Sequence, residues 1–430
     1  MKRCQLVFLI PGFLGFDHFQ DFAYFASRCA LTLRATLSQR VPRGGPEVRV
    51  ITVPIPPTAG LATRQRALAK TLQRRAQALA QAEGLEIDGI HLVGHSSGGV
   101  DAQLLTMERP LMVQTNWSNL DGMDISWLRA RLRSVISLAS PHQGTCFAAD
   151  PLARLLAAGD ALHLLERTGP ALKELLQLGA ALPGLITDPD VPELLGGVLG
   201  SAAGRKFLSG LWSSRDLING LVPDWSVGRY GSLGTPLPVL RRSFITVAGL
   251  SPSVQRGSLE CLQKRARVRE QPKAQLSDQA PATPPDALFL LLSSLTSGRN
   301  TGCALHGPLL SGSEEALRRA LRDPSRVISA APELLPQEVD AALNDGVVNS
   351  VRQLIDPSDP HELAGVVIAD HFDVIGHFDR TLWVTDPKTS EEKPVHVVSG
   401  LLHSGSEFRD NQFFALVERV SSCLEPLLQG

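Results

Sequence analysis

A serine set between glycines is the residue in this chain best placed to do chemistry. Gly94-His95-Ser96-Ser97-Gly98 follows the apolar run Ile90-His91-Leu92-Val93 and precedes Val100, Leu104 and Leu105 at helical spacing. A strand that turns sharply into a helix strains the residue at its apex, and side chains two residues before and after it would collide there. Gly94 and Gly98 remove that collision. Ser96 is then presented at the top of a sheet beside a helix N-terminus, whose free amides favour negative charge. A serine hydroxyl attacks poorly until a base takes its proton, and the base needs an acid to hold its tautomer and stabilise its charged form. Asp345, in Leu343-Asn344-Asp345-Gly346-Val347-Val348-Asn349, and His371, just past Val366-Val367-Ile368-Ala369, supply acid and base in the order nucleophile, acid, base. His377 is a rival base, and Asp340, Asp356 and Asp370 are lesser candidates for the acid. His142, in Ser140-Pro141-His142-Gln143-Gly144-Thr145, precedes every candidate acid and reads as structural.

These groups need a scaffold, and the apolar runs supply one. Leu6-Val7-Phe8-Leu9-Ile10 reads as a strand buried on both faces that leads into Pro11-Gly12-Phe13-Leu14-Gly15. Glycines there let the backbone approach a reacting group, so the amide of Phe13 is a candidate donor to a developing oxyanion. Residues 48–53 read as a second strand, and 61–82 as an amphipathic helix with Leu61, Leu68, Leu72, Ala76 and Leu79 on one side. Residues 135–139 and 244–248 continue the strands, and 287–295 is an apolar helix candidate. Strands alternating with helices predict a parallel sheet covered on both faces.

The middle of the chain follows a different pattern. Within 147–240, leucines at helical spacing (Leu152, Leu155 and Leu156; Leu172, Leu175 and Leu176) are interrupted by Gly159, Gly169-Pro170 and Pro183-Gly184. Short apolar helices of this kind suit a cap packed over a sheet and offering apolar surface to substrate. The expected organisation is a core made of 1–146 and 241–430 with the cap inserted at 147–240. Residues 251–285, polar and rich in proline, read as a further mobile insertion without chemistry.

Composition narrows the partners. Lys plus Arg (42) balance Asp plus Glu (43), so no global field favours nucleic acid or an anionic membrane, and a small-molecule or lipid-like partner is expected. No apolar run reaches the ~18 residues of a membrane helix. Six cysteines without C-x-x-C spacing read as buried thiols, not as a zinc cluster or disulfide scaffold. Met1-Lys2-Arg3 and the apolar residues after it imitate an export signal, but Pro11 interrupts the run and no small-x-small cleavage site follows. The segment reads as a strand and the location as cytoplasmic.

Pro11-Gly12-Phe13-Leu14-Gly15, Gly94-His95-Ser96-Ser97-Gly98-Gly99, Ser140-Pro141-His142-Gln143-Gly144-Thr145, Asn344-Asp345-Gly346-Val347-Val348-Asn349 and Asp370-His371-Phe372-Asp373-Val374-Ile375-Gly376 together resemble the α/β-hydrolase lipases of bacteria, in particular the thermoalkaliphilic triacylglycerol lipases. The resemblance covers the core strands and loops, not the middle. It implies an α/β-hydrolase fold: a mostly parallel central sheet, helices on both faces and an inserted helical cap. It also implies Ser96 as nucleophile, Asp345 as acid, His371 as base, the amides of Phe13 and Ser97 as oxyanion hole, and no catalytic part for His377. Asp373 stands where such lipases hold a structural calcium, and Asp379, one residue off the family spacing, is a second candidate ligand. Their zinc is held by histidines before the nucleophile, and none lies between His18 and His91, so no zinc is expected. The chemistry requires no organic cofactor. Where the family has His-Gly, this chain has Pro11-Gly12. The expected activity is cleavage of carboxylic esters, lipid-like acyl esters foremost, through a serine acyl-enzyme. A thioesterase, polyester depolymerase or acyltransferase would use the same triad. From another class, a non-catalytic lipid-binding homologue would keep the fold and fail to react with a fluorophosphonate.

Overall fold

Leu6, Val7, Phe8, Leu9 and Ile10 are all fully buried, and their neighbours explain why one short strand can be apolar throughout. In the computed structural model, which describes residues 2–13, 18–19, 22–56, 59–111, 125–150, 215–223, 232–250, 285, 287–298, 308–355, 362–385, 392–397 and 402–428, this run lies inside a sheet. The chain runs β1 (Lys2–Ile10), β2 (His18–Phe19), β3 (Phe22–Ala23), α1 (Ser27–Arg40), β4 (Glu47–Thr52), α2 (Leu61–Glu83), β5 (Leu85–His95) and α3 (Ser97–Thr106). It continues through α4 (Ser126–Arg131), β6 (Leu132–Leu138), α5 (Cys146–Ala149), α6 (Arg215–Gly220), β7 (Leu240–Val247), α7 (Ala287–Thr296), α8 (Pro308–Arg322), β8 (Val327–Ile328), β9 (Glu362–Ile368), β10 (Arg380–Thr385), β11 (Glu392–Val397) and α9 (Asp410–Leu428).

Among the described residues seven strands form one sheet in the order β4-β1-β5-β6-β7-β9-β8, and every pairing in it is parallel. The sheet is thus wholly parallel where a mostly parallel one was expected. Strand alternation sends Val7 and Leu9 to one face, against Leu33 and Leu37 of α1 and Phe413, Leu416 and Leu424 of α9. Leu6, Phe8 and Ile10 go to the other, against Leu68, Leu72 and Ala76 of α2 and Leu128 of α4. A third cluster packs Leu317 and Ala320 of α8 on Ile245, Val247, Val366 and Ile368. Burying each such side chain contributes about 1.5–3 kcal/mol, so the two-sided cover holds the strand ends in fixed relation.

The order of the strands determines where a ligand fits. From β1 the chain moves outward to the edge strand β4, then crosses back to β5 on the other side of β1 and continues toward β9. The connections after β1 and β5 therefore diverge, and a crevice opens outside the carboxyl ends of these two neighbours. Pro11-Gly12-Phe13 follows β1 and Ser96 follows β5. The leader-like segment is strand β1, as expected. Among the described residues no helix is long and apolar enough to cross a membrane.

Other expectations meet the structure unevenly. The helix expected at 61–82 is α2, closed by Gly84 in the left-handed conformation, whose amide bonds the Ala80 carbonyl. Cys4, Cys29 and Cys146 are free and buried, Cys423 is free but only partly buried, and Cys261 and Cys303 lie outside the described residues. Most of the cap at 147–240, and the insertion at 251–285 apart from Pro285, lie outside the described residues.

Candidate active site

The loop that carries Ser96 is strained and tightly enclosed. Ser96 has φ 54° and ψ −133°, a conformation that costs a side-chain-bearing residue about 1–3 kcal/mol. Its amide bonds the Leu138 carbonyl of β6 at 2.9 Å, and its own carbonyl takes the Gly99 amide at 3.0 Å. A Cβ at position 94 would lie 2.4 Å from the Gly98 oxygen, and one at position 98 would lie 2.3 Å from the Ile10 oxygen. The glycine spacing thus also seats the elbow on the end of β1. Ser97 is the first residue of α3, so its amide has no acceptor one turn back in the helix.

The strand next to it brings up the second wall. A Cβ on Gly12 would stand 2.5 Å from Ser96 Cβ and 2.6 Å from the His95 oxygen, so only glycine fits between this loop and the serine. Arg64, fully buried, bonds the Pro11 oxygen at 2.9 Å and the Pro56 oxygen at 3.0 Å, and pairs with the equally buried Asp101 of α3 at 2.7 Å. One guanidinium therefore ties the first loop to the helix that starts at the elbow. Phe13, the next residue, is almost wholly buried.

Acid and base meet at the far side. Asp345 Oδ2 lies 2.9 Å from His371 Nδ1, with both side chains inside the protein. Asp345 Oδ1 accepts the amides of Val347 (3.0 Å) and Val348 (2.8 Å), while Oδ2 also accepts from Thr246 Oγ1 and, at 3.1 Å, from Gln353 Nε2. Four donors besides the imidazole grip this carboxylate and leave it no freedom to turn. His371 follows β9, and its amide bonds the Asp345 oxygen at 3.0 Å, so backbone and side chain are both tied to the same aspartate. The carboxyl ends of β5 and β9 are joined by His95: its ring centroid lies 4.7 Å from that of His371, and its Nε2 lies 2.7 Å from the His371 oxygen.

The remaining candidates occupy other positions. His377 Nε2 sits 2.8 Å from the Tyr24 oxygen and 3.0 Å from the Ala23 oxygen; carbonyls only accept, so this nitrogen is a donor and not a base. Asp370 Oδ1 accepts the amides of Phe372 and Asp373 and caps its own turn, and Asp340 Oδ1 accepts the Ala342 amide. Asp356 lies outside the described residues. His142 is buried in the turn after β6.

The two aspartates of the calcium expectation are close enough to influence each other, but they do not assemble a cage. Asp373 Oδ2 accepts the Asp370 amide at 2.9 Å and Ser406 Oγ at 3.3 Å, and burial pushes its carboxyl up to about 8. Asp379 Oδ2 faces His403 Nδ1 at 3.7 Å. Calcium needs six or more oxygens, and among the described residues no group of three or more His, Cys, Asp or Glu gathers that could hold a metal. Among the described residues, Asp373 and Asp379 do not make up such a set.

Sequence reasoning passed over Tyr24, Arg64, Asp101, Thr246 and Gln353, all of which touch the site through partners distant in the chain. The sheet is parallel, its order reverses beside β1, and a strained serine sits at the strand-to-helix elbow, with an aspartate after β8 and its histidine partner after β9; these features make an α/β-hydrolase fold. No family model matches the sequence, and no curated protein matches it. Among solved structures the chain is similar to EstA from Clostridium botulinum (15% identity over 100% of this chain and 88% of that one, TM-score 0.44). It is also similar to the metagenomic carboxyl esterase MGS0156 (14% identity, 99% of this chain and 76% of that one, TM-score 0.37). Lipase 1 from Pelosinus fermentans is a third such likeness (18% identity, 87% and 94%, TM-score 0.39). At these TM-scores the likenesses carry nothing about chemistry.

Proposed function

We propose that this chain is a serine hydrolase that cleaves carboxylic esters with lipid-like acyl groups, using Ser96 as nucleophile, His371 as base and Asp345 as acid. The observation that carries the reading is the His371–Asp345 pair, its carboxylate held by four further donors, at the edge where the strained Ser96 stands. Ser96 Oγ attacks the ester carbonyl carbon and its proton passes to His371 Nε2, while Asp345 stabilises the imidazolium formed. The carbonyl electrons move to oxygen, and the amides of Phe13 and Ser97 are the proposed donors to that oxyanion. Collapse expels the alcohol, which takes the proton from His371. Water, deprotonated by the same histidine, then releases the acid and restores the serine.

No organic cofactor takes part in these steps. The proposed location is the cytoplasm. The direct test is labelling with a fluorophosphonate, followed by mass spectrometry of the digested protein. A single adduct on the peptide containing Ser96 is expected; an unreactive, folded protein would make this a non-catalytic relative. A series of p-nitrophenyl esters tests the acyl group. Each added methylene that is buried improves kcat/KM by up to about 0.8 kcal/mol, so rates should climb from acetate toward octanoate. A preference for acetate would refute the lipid-like substrate.

A further inference from the structure

Tyr24 is almost completely buried, and its hydroxyl stands among three separate parts of the proposed site. It lies 2.7 Å from His95 Nδ1 and receives the backbone amide of Gly12. A Cβ on Gly12 would sit 2.7 Å from this oxygen and 2.5 Å from Ser96 Cβ. The other nitrogen of His95, Nε2, reaches the backbone oxygen of His371 at 2.7 Å.

The direction of each bond follows from what the atoms can do. A carbonyl oxygen only accepts, so His95 Nε2 carries the hydrogen. The His95 ring is buried on every side, and burial, with His371 beside it, holds its pKa well below the ordinary histidine value. The ring is neutral and Nδ1 is bare. Tyr24 therefore donates its only hydrogen to Nδ1, and its lone pair receives the Gly12 N–H. That hydrogen is committed, so Tyr24 is not itself a donor to an oxyanion.

We propose that Tyr24 is a positioning residue of the ester-cleaving site: its hydroxyl links the Pro11-Gly12-Phe13 loop to His95 and, through His95, to the backbone of the base His371. The proposal rests on the roles given above to Ser96, His371 and Phe13. The Pro11 carbonyl and the Gly12 amide belong to one peptide plane, with Arg64 on the carbonyl and Tyr24 on the amide. Held at both ends, that plane determines the direction in which the next amide, that of Phe13, points. Proline at position 11 has no amide or polar side chain of its own to anchor the loop, so the anchor comes from elsewhere in the chain. The circuit closes through His377, which donates to the Tyr24 and Ala23 carbonyls from the turn that follows the base.

Tyr24→Phe tests the link while keeping the ring contacts with Phe25 and His95. Activity on p-nitrophenyl butyrate is measured at 25 °C and divided by the concentration of serine titrated with a fluorophosphonate, so unfolded protein does not count. The expected result is a kcat per titrated site lowered about 10- to 100-fold with KM changed less than about three-fold, since a donor misplaced by ~1 Å costs on the order of 10². A merely structural tyrosine would lower the melting temperature and the titratable fraction but leave kcat per site unchanged, and that result overturns the proposal. In a His95→Phe background the further loss on Tyr24→Phe should be smaller than in the parent protein; strictly additive losses also overturn it. Ser96→Ala is run alongside. If it is inactive while Tyr24→Phe is fully active, the positioning role alone falls; if Ser96→Ala is active, the nucleophile reading falls and takes this proposal with it.

Discussion

Gly12→Ala is the smallest change that bears on the geometry of the loop beside Ser96. The added Cβ would lie 2.5 Å from Ser96 Cβ, 2.6 Å from the His95 oxygen and 2.7 Å from the Tyr24 hydroxyl, whereas ordinary contact begins at 3.4 Å. Two of the three obstacles cannot turn aside: one is backbone and the other is the Cβ of a residue already strained at φ 54°. The loop must retreat by roughly 0.9 Å, the difference between 3.4 and 2.5 Å. Donors to an oxyanion act at about 2.7–3.1 Å, so a retreat of this size puts the Phe13 amide outside its working distance and should lower kcat by about 10²-fold. Overpacking adds a stability loss of about 1–3 kcal/mol. Steady-state kinetics on p-nitrophenyl butyrate, normalised to titrated serine, and a thermal melt separate the two effects. A Gly12→Ala protein with the parent's kcat per site would show that the loop does not stand against the serine during reaction.

Other outcomes follow from the same contacts. His371→Ala should lose nearly as much activity as removal of the nucleophile, and Asp345→Ala somewhat less, because the histidine remains but loses its orientation; kcat with a melt for each variant decides. His377→Ala should cost far less kcat than His371→Ala, since His377 only donates to the Tyr24 and Ala23 carbonyls, and a folded His377→Ala as inactive as His371→Ala would move the base assignment. Burial raises the Asp373 carboxyl to about 8 from an ordinary value near 4, so the folded state holds a proton that the unfolded state has released between those values. Stability from this group is intact at low pH and lost as pH rises through that window, with a slope of at most about 1.4 kcal/mol per pH unit. Asp373→Asn should then gain in melting temperature relative to the parent from pH 5 to pH 8, and a constant difference would contradict the raised value. EGTA should leave the melting temperature of the parent unchanged; a drop would mean that calcium binds at Asp373 and Asp379 after all.

How much of this was readable beforehand depended on whether the cause was local. The elbow was legible because the strain at Ser96 and the glycines that permit it lie within five residues, Gly94 to Gly98. Strand β1 was legible because a strand buried on both faces must be apolar at every position. Asp345 and His371 were readable only from their order after the serine and from the resemblance of their turns, since nothing in either turn announces that one faces the other. Thr246 and Gln353, which hold Asp345, and Tyr24 and Arg64, which hold the Pro11–Gly12 peptide, left no signal: each is an ordinary residue in its own segment and meets its partner only across the fold. Helix α1 was passed over although Cys29, Leu33 and Leu37 recur at helical spacing, because arginines and threonines between them dilute the apolar face and no side chain caps its start. The wholly parallel sheet could not be told from a mostly parallel one, since pairing direction at the edge strands β4 and β8 is set by connections and not by composition.

The central claim is that Ser96 forms the acyl-enzyme, and the most direct measurement is kcat for Ser96→Ala on p-nitrophenyl butyrate beside its melting curve. With the nucleophile gone but the fold intact, kcat should fall by about 10⁴ to 10⁶ while the melting temperature holds or rises, because alanine removes the reacting oxygen and adds no bulk at the elbow. A folded Ser96→Ala protein that still turns over the ester at more than a hundredth of the parent rate would contradict the account.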